Sequence, residues 1–361
     1  MNTMKYGSLT LILILLCAVA RSADAGEVRE FYNGVRALGM GGASIAVVND
    51  ETALLSNPAG LGKVRDFYGT ILDPELDGSS SITNAYYSKP FGSPFEPAEV
   101  QKTMDLQRES YYHANAQLFP SIVVRNFGIG IFGRNLLDAT VDASGANMKT
   151  YYLSDVSIVL GYNLRLWDGR IKLGVTGKAI SRIEIDKNLP TTGDLSISGN
   201  ASEGAALGAD VGLILTAPWT WLPTLSAVVR DVGGTNFEAG AGLRMSTTDR
   251  PQRIEQDIDV AFALFPIHSN DYRSSFTIEY QKMKSAGEAT DKTRYAHMGY
   301  ELNMHDIFFL RAGMNQRYWT AGLELSSEHT QLQIASYGED VGPDNAPKED
   351  RRYVVKFAIR F

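Results

Sequence analysis

The sequence predicts an all-β fold: a transmembrane antiparallel β-barrel of about fourteen strands with an N-terminal plug, or hatch, in its lumen. Three observations predict it. Apolar and polar residues alternate with a period of two over most of the chain after Phe67. A small-residue stretch stands between an export leader and those alternating segments. No segment after the leader is long and apolar enough to cross a bilayer as a helix, which leaves a soluble protein or a closed barrel.

The leader occupies residues 1–25. Lys5 supplies its positive end, Leu9 to Ala20 its apolar core, and Ala23-Asp24-Ala25 a small-x-small cleavage site. Leu16 stands before Cys17 where lipidation requires a small residue. Cys17 is the single cysteine of the 361 residues, so the rest of the chain has neither a disulfide framework nor a Cys-bound metal. A formal net charge of -7 argues against a broad nucleic-acid surface.

Residues 26–65 form the expected plug. Gly34 to Gly62 is rich in Gly and Ala, lacks aromatic residues and closes on Asn57-Pro58-Ala59-Gly60. Small residues allow close backbone approach, Pro58 stiffens the turn, and the Asn57 side chain can bond its neighbouring backbone. Such a stretch packs inside something larger.

Residues 66–361 supply the barrel. Val156, Ile158, Leu160, Tyr162, Leu164 and Leu166 alternate with Asp155, Ser157, Asn163 and Arg165, with Val159 out of phase. The Asp168-Gly169 turn follows, then a strand with Ile171, Leu173, Val175 and Ala179 on one face and Lys172, Thr176, Lys178 and Arg182 on the other. The pattern recurs at 257–264, 275–281 and 319–325, and more weakly at 82–89, 119–125, 127–134, 205–216, 222–231, 239–246, 294–304, 307–315 and 330–337. The count falls between about twelve and sixteen, and fourteen is chosen because closed bacterial barrels favour even numbers. Segments 92–110, 186–203 and 338–350 read as long loops, the first with a short helix over AEVQKTMDLQ. Tyr151, Tyr152, Trp167, Tyr272, Tyr280, Tyr318 and Trp319 suit interfacial girdles.

A soluble sandwich alternates in the same way, so the last strand weighs more. It places Tyr353, Val355, Phe357, Ile359 and Phe361 on one face. This resembles the C-terminal recognition strand of bacterial outer-membrane barrels, with Tyr353, Phe357, Ile359 and Phe361 as the assembly signal. Outer-membrane lipid and the barrel-assembly machinery are the partners it implies.

No catalytic or cofactor constellation emerges. Gly39-Met40-Gly41-Gly42 lacks the preceding strand and following Lys of a nucleotide loop, the five histidines have no metal-ligand spacing, and there is no G-x-S-x-G elbow. A protein without enzymatic activity and without a cofactor is the expectation. Lys172, Lys178, Arg182, Asp257, Asp259 and Glu279 fall on the polar face and are expected to line the lumen, where a polar plug or water pairs them.

The stretch Gly34-Val35-Arg36-Ala37-Leu38-Gly39-Met40-Gly41-Gly42-Ala43, with Asn49-Asp50 and the close Asn57-Pro58-Ala59-Gly60-Leu61, resembles the N-terminal hatch signature of the FadL/TodX superfamily of outer-membrane transporters. It is similar also to that of the PorV/PorQ proteins of type IX secretion. Leu225 to Gly234 resembles a mid-barrel strand of the same group. The resemblance implies a monomeric fourteen-stranded barrel with its N-terminus folded inside. Its implied hatch residues are Gly39, Gly41, Gly42, Asn57, Pro58, Ala59 and Gly60. Two functions follow as expectations: FadL-like passive transport of small hydrophobic molecules, or a PorV-like non-conducting scaffold for secreted proteins.

Overall fold

Alternation becomes wall geometry in β6 (Asn147–Leu166) and β7 (Ile171–Pro190). Val156, Ile158, Leu160, Tyr162 and Leu164 are exposed, while Asp155, Ser157, Val159 and Asn163 are buried. A soluble sheet buries its apolar face; this one exposes it and hides its charges, as a lipid-embedded wall must. Val159, out of phase in the alternation, faces inward and packs against Leu54 and Leu61 of the hatch. The chain is described from a computed structural model, which covers residues 27–361 apart from 66, 83–91, 239–241, 246 and 344. The leader expected over 1–25, Cys17 and nearly all of the strand candidate at 82–89 lie outside the described residues.

The wall begins with β1 (Tyr68–Leu72), β2 (Glu75–Ser79), β3 (Tyr112–Leu118), β4 (Ser121–Val124) and β5 (Phe127–Val141). After β6 and β7 come β8 (Ser202–Thr216), β9 (Thr224–Arg230), β10 (Asp257–Leu264), β11 (Tyr272–Tyr280) and β12 (Ala296–Met304). It finishes with β13 (Phe308–Asn315), β14 (Tyr318–Ser326), β15 (Thr330–Asp340) and β16 (Glu349–Arg360). These sixteen segments form one closed antiparallel sheet. Both β1 and β2 pair with β16, and both β3 and β4 pair with β5, so the segments make fourteen staves, two of them interrupted.

The interruptions have a covalent cause. Pro74 and Pro120 have no N–H to give the ladder, and they sit in adjacent staves. The Asp73 carboxylate fills in, accepting the Phe119 N–H at 2.5 Å, while its other oxygen pairs with Lys356 at 3.0 Å.

The Asp168-Gly169 turn closes β6 onto β7 with Leu166 opposite Ile171, and Trp167, Asp168 and Gly169 all have positive φ. The longer connections at 80–111, 191–201, 231–256 and 281–295 lie at the opposite end of the barrel from this turn, an end that also carries the two-residue turn at 316–317. Two expected loops are shorter than their composition indicated. Asp186–Pro190 pairs with 147–151 and Gly338–Asp340 with 349–351, so β7 and β15 run on into polar sequence. Beyond the bilayer a strand needs no apolar face, and ladder hydrogen bonds alone carry it. The candidate strand at 239–246 is not one: its described residues bend within the 231–256 loop. The helix expected near 98–107 forms at Pro97–Met104.

Girdle positions divide. Trp167, Tyr272 and Trp319 are exposed. Tyr152 instead packs with Val100, Met104, Leu137 and Ile185, because the Pro97–Met104 helix and nearby loop residues cover the outward face of β3, β5, β6 and β7 there. Tyr151 points inward, with the Arg29 guanidinium 3.6 Å from its ring centre.

The seam closes through Phe361. Its N–H donates to Gly69 O at 3.0 Å, Gly69 N–H returns a bond at 3.3 Å, and its ring lies 5.6 Å from that of Phe67. Deleting Phe361 removes both seam bonds and is expected to lower the yield of heat-modifiable barrel in membranes several-fold. Wild-type levels on unheated gels would refute this role.

Candidate functional site

The hatch lies inside the lumen against the wall, and its shape follows from residues too small to keep it away from the wall. The helix Val35–Gly39 lies against β13, β14 and β15. At Gly41, φ is +68°, and an added Cβ would lie 2.4 Å from Met298 O and 2.5 Å from Met314 O. The wall answers with its own glycines: a Cβ on Gly174 would meet Pro58 backbone at 2.1 Å. Hatch backbone therefore touches wall backbone directly.

Asn57 ties the turn together. Its Oδ1 accepts the Ala59 N–H at 3.0 Å, and its Nδ2 donates to Ile45 O at 2.7 Å and to Ser226 Oγ on β9 at 2.8 Å. Pro58 opens the 3-10 turn Pro58–Lys63, whose Ala59 O accepts from Asn163 Nδ2 at 3.3 Å. Gly39 faces Gly322, Gly42 carries a positive φ, and Gly60 packs against Val48.

All six inward charges of the sequence reading are buried. Glu279 accepts the backbone N–H groups of Ser44 at 2.7 Å and Ile45 at 3.0 Å, anchoring the hatch. Asp259 pairs with Arg230, which also lies 3.7 Å from hatch residue Glu30. Lys178 pairs with Asp210 at 2.8 Å and Asp231 at 3.0 Å and sits over the Phe31 ring. Arg182 pairs with Asp155 within the wall, and Lys172 bonds Gly169 O near the turn. Asp257 belongs to a different unit: it accepts from Lys284 N and Ser285 N at 2.8 and 3.1 Å and so holds the 281–295 loop.

Above the hatch, residues 27–33 climb towards the long-loop end as a leg stitched to the wall by ions. Arg352 donates from both Nη atoms to the Glu27 carboxylate, each bond 2.8 Å. Burial alone would raise the Glu27 carboxyl, but Arg352 more than offsets it and holds the group below the usual carboxylate range. Arg29 pairs with Asp138 at 3.1 Å. Deeper in, Arg36 pairs with Glu301 at 2.7 Å and Asp50 at 3.0 Å, and Arg360 with Glu51 at 2.7 Å. Glu27, His113 and Asp138 converge within 4.8 Å, but Arg352 and Arg29 already supply the positive charge there.

Between leg and wall lies a chamber of about 260 Å³, lined among others by Asp77, His113, Asn115, Arg134, Leu136 and Leu153. Sequence reading passed over these residues and over the leg's partners. The available signal was parity: His113, Asn115 and Gln117 sit at alternate positions, and Arg352 and Lys356 share one face of the last strand. Replacing Arg352 with Ala leaves Glu27 and Asp350 buried without their shared partner, a loss of about 3–5 kcal/mol for a broken buried pair. The leg should then become protease-sensitive while the barrel stays heat-modifiable, and Arg352→Lys should recover only part because it cannot chelate both oxygens. An equally resistant leg in Arg352→Ala would refute the stitching.

No family model matches the sequence, and no curated protein matches it. Solved structures do. The chain is similar to the Pseudomonas putida toluene transporter TodX at 14% identity over 92% of this chain and 98% of that one, with a TM-score of 0.51. It is similar to a Pseudomonas aeruginosa FadL homologue at 10% identity over 93% and 99%, TM-score 0.51. The Ralstonia pickettii toluene transporter TbuX matches at 11% identity over 91% and 98%, TM-score 0.51. A closed fourteen-stave barrel holding an N-terminal hatch, aligned nearly end to end with these structures, has the fold of the FadL-type outer-membrane transporters.

Proposed function

We propose that this protein is a passive, non-enzymatic channel of the bacterial outer membrane, taking small, mainly hydrophobic molecules from the long-loop face past the hatch. The observation that carries the reading is the way the lumen is filled. The wall side chains do not close it; a separate N-terminal element does, held by hydrogen bonds and ion pairs, with a chamber of about 260 Å³ above it. The fold shared with TodX and TbuX, described as toluene transporters, points the same way.

Long loops face outward and short turns the periplasm, as in outer-membrane barrels generally. In cells, uptake of labelled toluene or a labelled long-chain fatty acid should fall several-fold on gene deletion and return with the wild-type gene. Unchanged uptake of both, together with recovery of a large exported protein in a pull-down, would replace this reading with that of a non-conducting scaffold for secretion.

A further inference from the structure

The end of the barrel that carries the Asp168-Gly169 turn is charged unevenly around its rim. Four exposed arginines stand on one side of it: Arg65 where the hatch runs into β1, Arg125 in the turn between β4 and β5, and Arg165 and Arg170 flanking the turn between β6 and β7. The segments β1, β4, β5, β6 and β7 pair one after another at this end of the sheet. Strands ~4.8 Å apart place the two turns roughly 10 Å from each other. Arg125 Nη2 lies 3.5 Å from Arg65 O, and Asn126 O accepts the Asn163 N–H at 2.8 Å, which ties the β4–β5 turn to the end of β6.

Among the described residues none of the four arginines forms an ion pair, whereas Arg182, Arg311 and Arg352 of the same wall all do. Asp168 stands between Arg165 and Arg170 in the chain and pairs with neither; Asp66 lies outside the described residues. Arg165 is also set directly opposite Lys172 in the β6–β7 register, where like charges repel. Lys172 turns away to bond Gly169 O. Farther round the same end the pattern changes: Arg273 has its carboxylate, Asp306 at 3.1 Å, and the β8–β9 connection at 217–223 holds no charged residue.

Apolar neighbours fix the height of the arginines. Phe67, Phe127 and Leu166 are exposed on the lipid side, and each lies within two residues of Arg65, Arg125 or Arg165. Trp167, exposed in the turn between Arg165 and Arg170, is a residue type that settles where acyl chains meet headgroups. A long side chain rooted at that level lays its stem along apolar surface and holds its guanidinium among the headgroups.

We infer that this sector of the rim binds anionic phospholipid, its arginines taking the headgroup phosphates and Trp167 packing beside the start of the acyl chains. A guanidinium donates to phosphate through two parallel N–H groups, and several arginines within about a Debye length of each other favour a lipid with net negative charge over a zwitterionic one. The inference goes beyond the channel reading and takes from it only the orientation, long loops outward and the Asp168-Gly169 turn towards the periplasm, where the leaflet is phospholipid.

Native mass spectrometry of the full-length protein in a neutral detergent tests it, with phosphatidylglycerol, phosphatidylethanolamine and polyglutamate as probes. Phosphatidylglycerol should be retained at least about tenfold more strongly than phosphatidylethanolamine. Replacing Arg125, Arg165 and Arg170 together by Gln should bring the two lipids to within a few-fold of each other. If that triple variant does not give a heat-modifiable barrel, Arg125→Gln and Arg170→Gln singly should each lower the preference several-fold. Arg273→Gln, on the paired side of the rim, should leave it unchanged. Equal retention of the two lipids, an unchanged preference in the Arg125, Arg165 and Arg170 variants, or an equal loss in Arg273→Gln overturns the inference. Polyglutamate held as tightly as phosphatidylglycerol overturns it in favour of an acidic protein partner. Labelling of Asp168→Cys in intact cells by a maleimide too large to cross the outer membrane would put this end on the cell surface. That result overturns the choice of leaflet and the direction of the channel, whereas loss of the lipid preference overturns the inference and leaves the channel untouched.

Discussion

Deleting residues 34–62 is expected to turn a closed barrel into a conducting one, with single-channel conductance in planar bilayers rising by at least about tenfold. Eight strands leave an interior that side chains fill, whereas sixteen to eighteen leave an aqueous channel, and fourteen lie much nearer the second case. The wall should survive the loss. Arg311 keeps Glu301 at 2.7 Å and Arg182 keeps Asp155 at 2.8 Å without any hatch residue. Glu279 and Lys356 lose hatch partners but gain water, and a charge facing water carries no burial penalty. The measurement therefore separates plugging from folding: a heat-modifiable barrel that still does not conduct would show that something other than 34–62 closes the lumen.

The second large effect comes from one atom group. Gly41→Val is expected to dislodge the hatch, at a cost of about 2–5 kcal/mol that combines a left-handed backbone with overpacking. The φ of +68° disfavours any side chain, and the carbonyl oxygens of Met298 and Met314 occupy the space the side chain would need. Neither carbonyl can yield, because β12 and β13 pair with each other there, Met298 opposite Met314. Limited proteolysis should cut the variant hatch at least several-fold faster than wild type, with partial conductance appearing. Gly177→Ala is the matched control, since an added Cβ there meets nothing within 4 Å. Equal protection of the Gly41→Val hatch would refute the claim that close backbone contact seats it.

Much of the wall was legible because a strand has a period of two. Parity alone told that Lys178, Asp259 and Glu279 share a side opposite Ile158, Phe262 and Ile278, whichever partners the strands take. The Asp168-Gly169 turn is equally local, since positive φ belongs to single residues. The breaks at Pro74 and Pro120 went unread, although a missing N–H is local as well. Local logic failed where surroundings changed. Tyr152 has the parity of a lipid-facing residue, but loop residues cover it, and polar 186–190 continues a strand because its partner at 147–151 does.

The candidate site was legible only in outline. The Asn57 side chain was expected to bond its own backbone, and it does at Ala59, but its bonds to Ile45 and Ser226 depend on what lies beside it. The same holds for the Glu27–Arg352 pair, 325 residues apart in the chain. The sequence by itself determined which residues of each strand share a face and which stretch is small enough to enter the barrel. Only the tertiary structure decided which inward charges find partners. Period two sets the side on which a residue lies, whereas the height at which it meets a neighbour is set by register across strands and by the seating of the hatch.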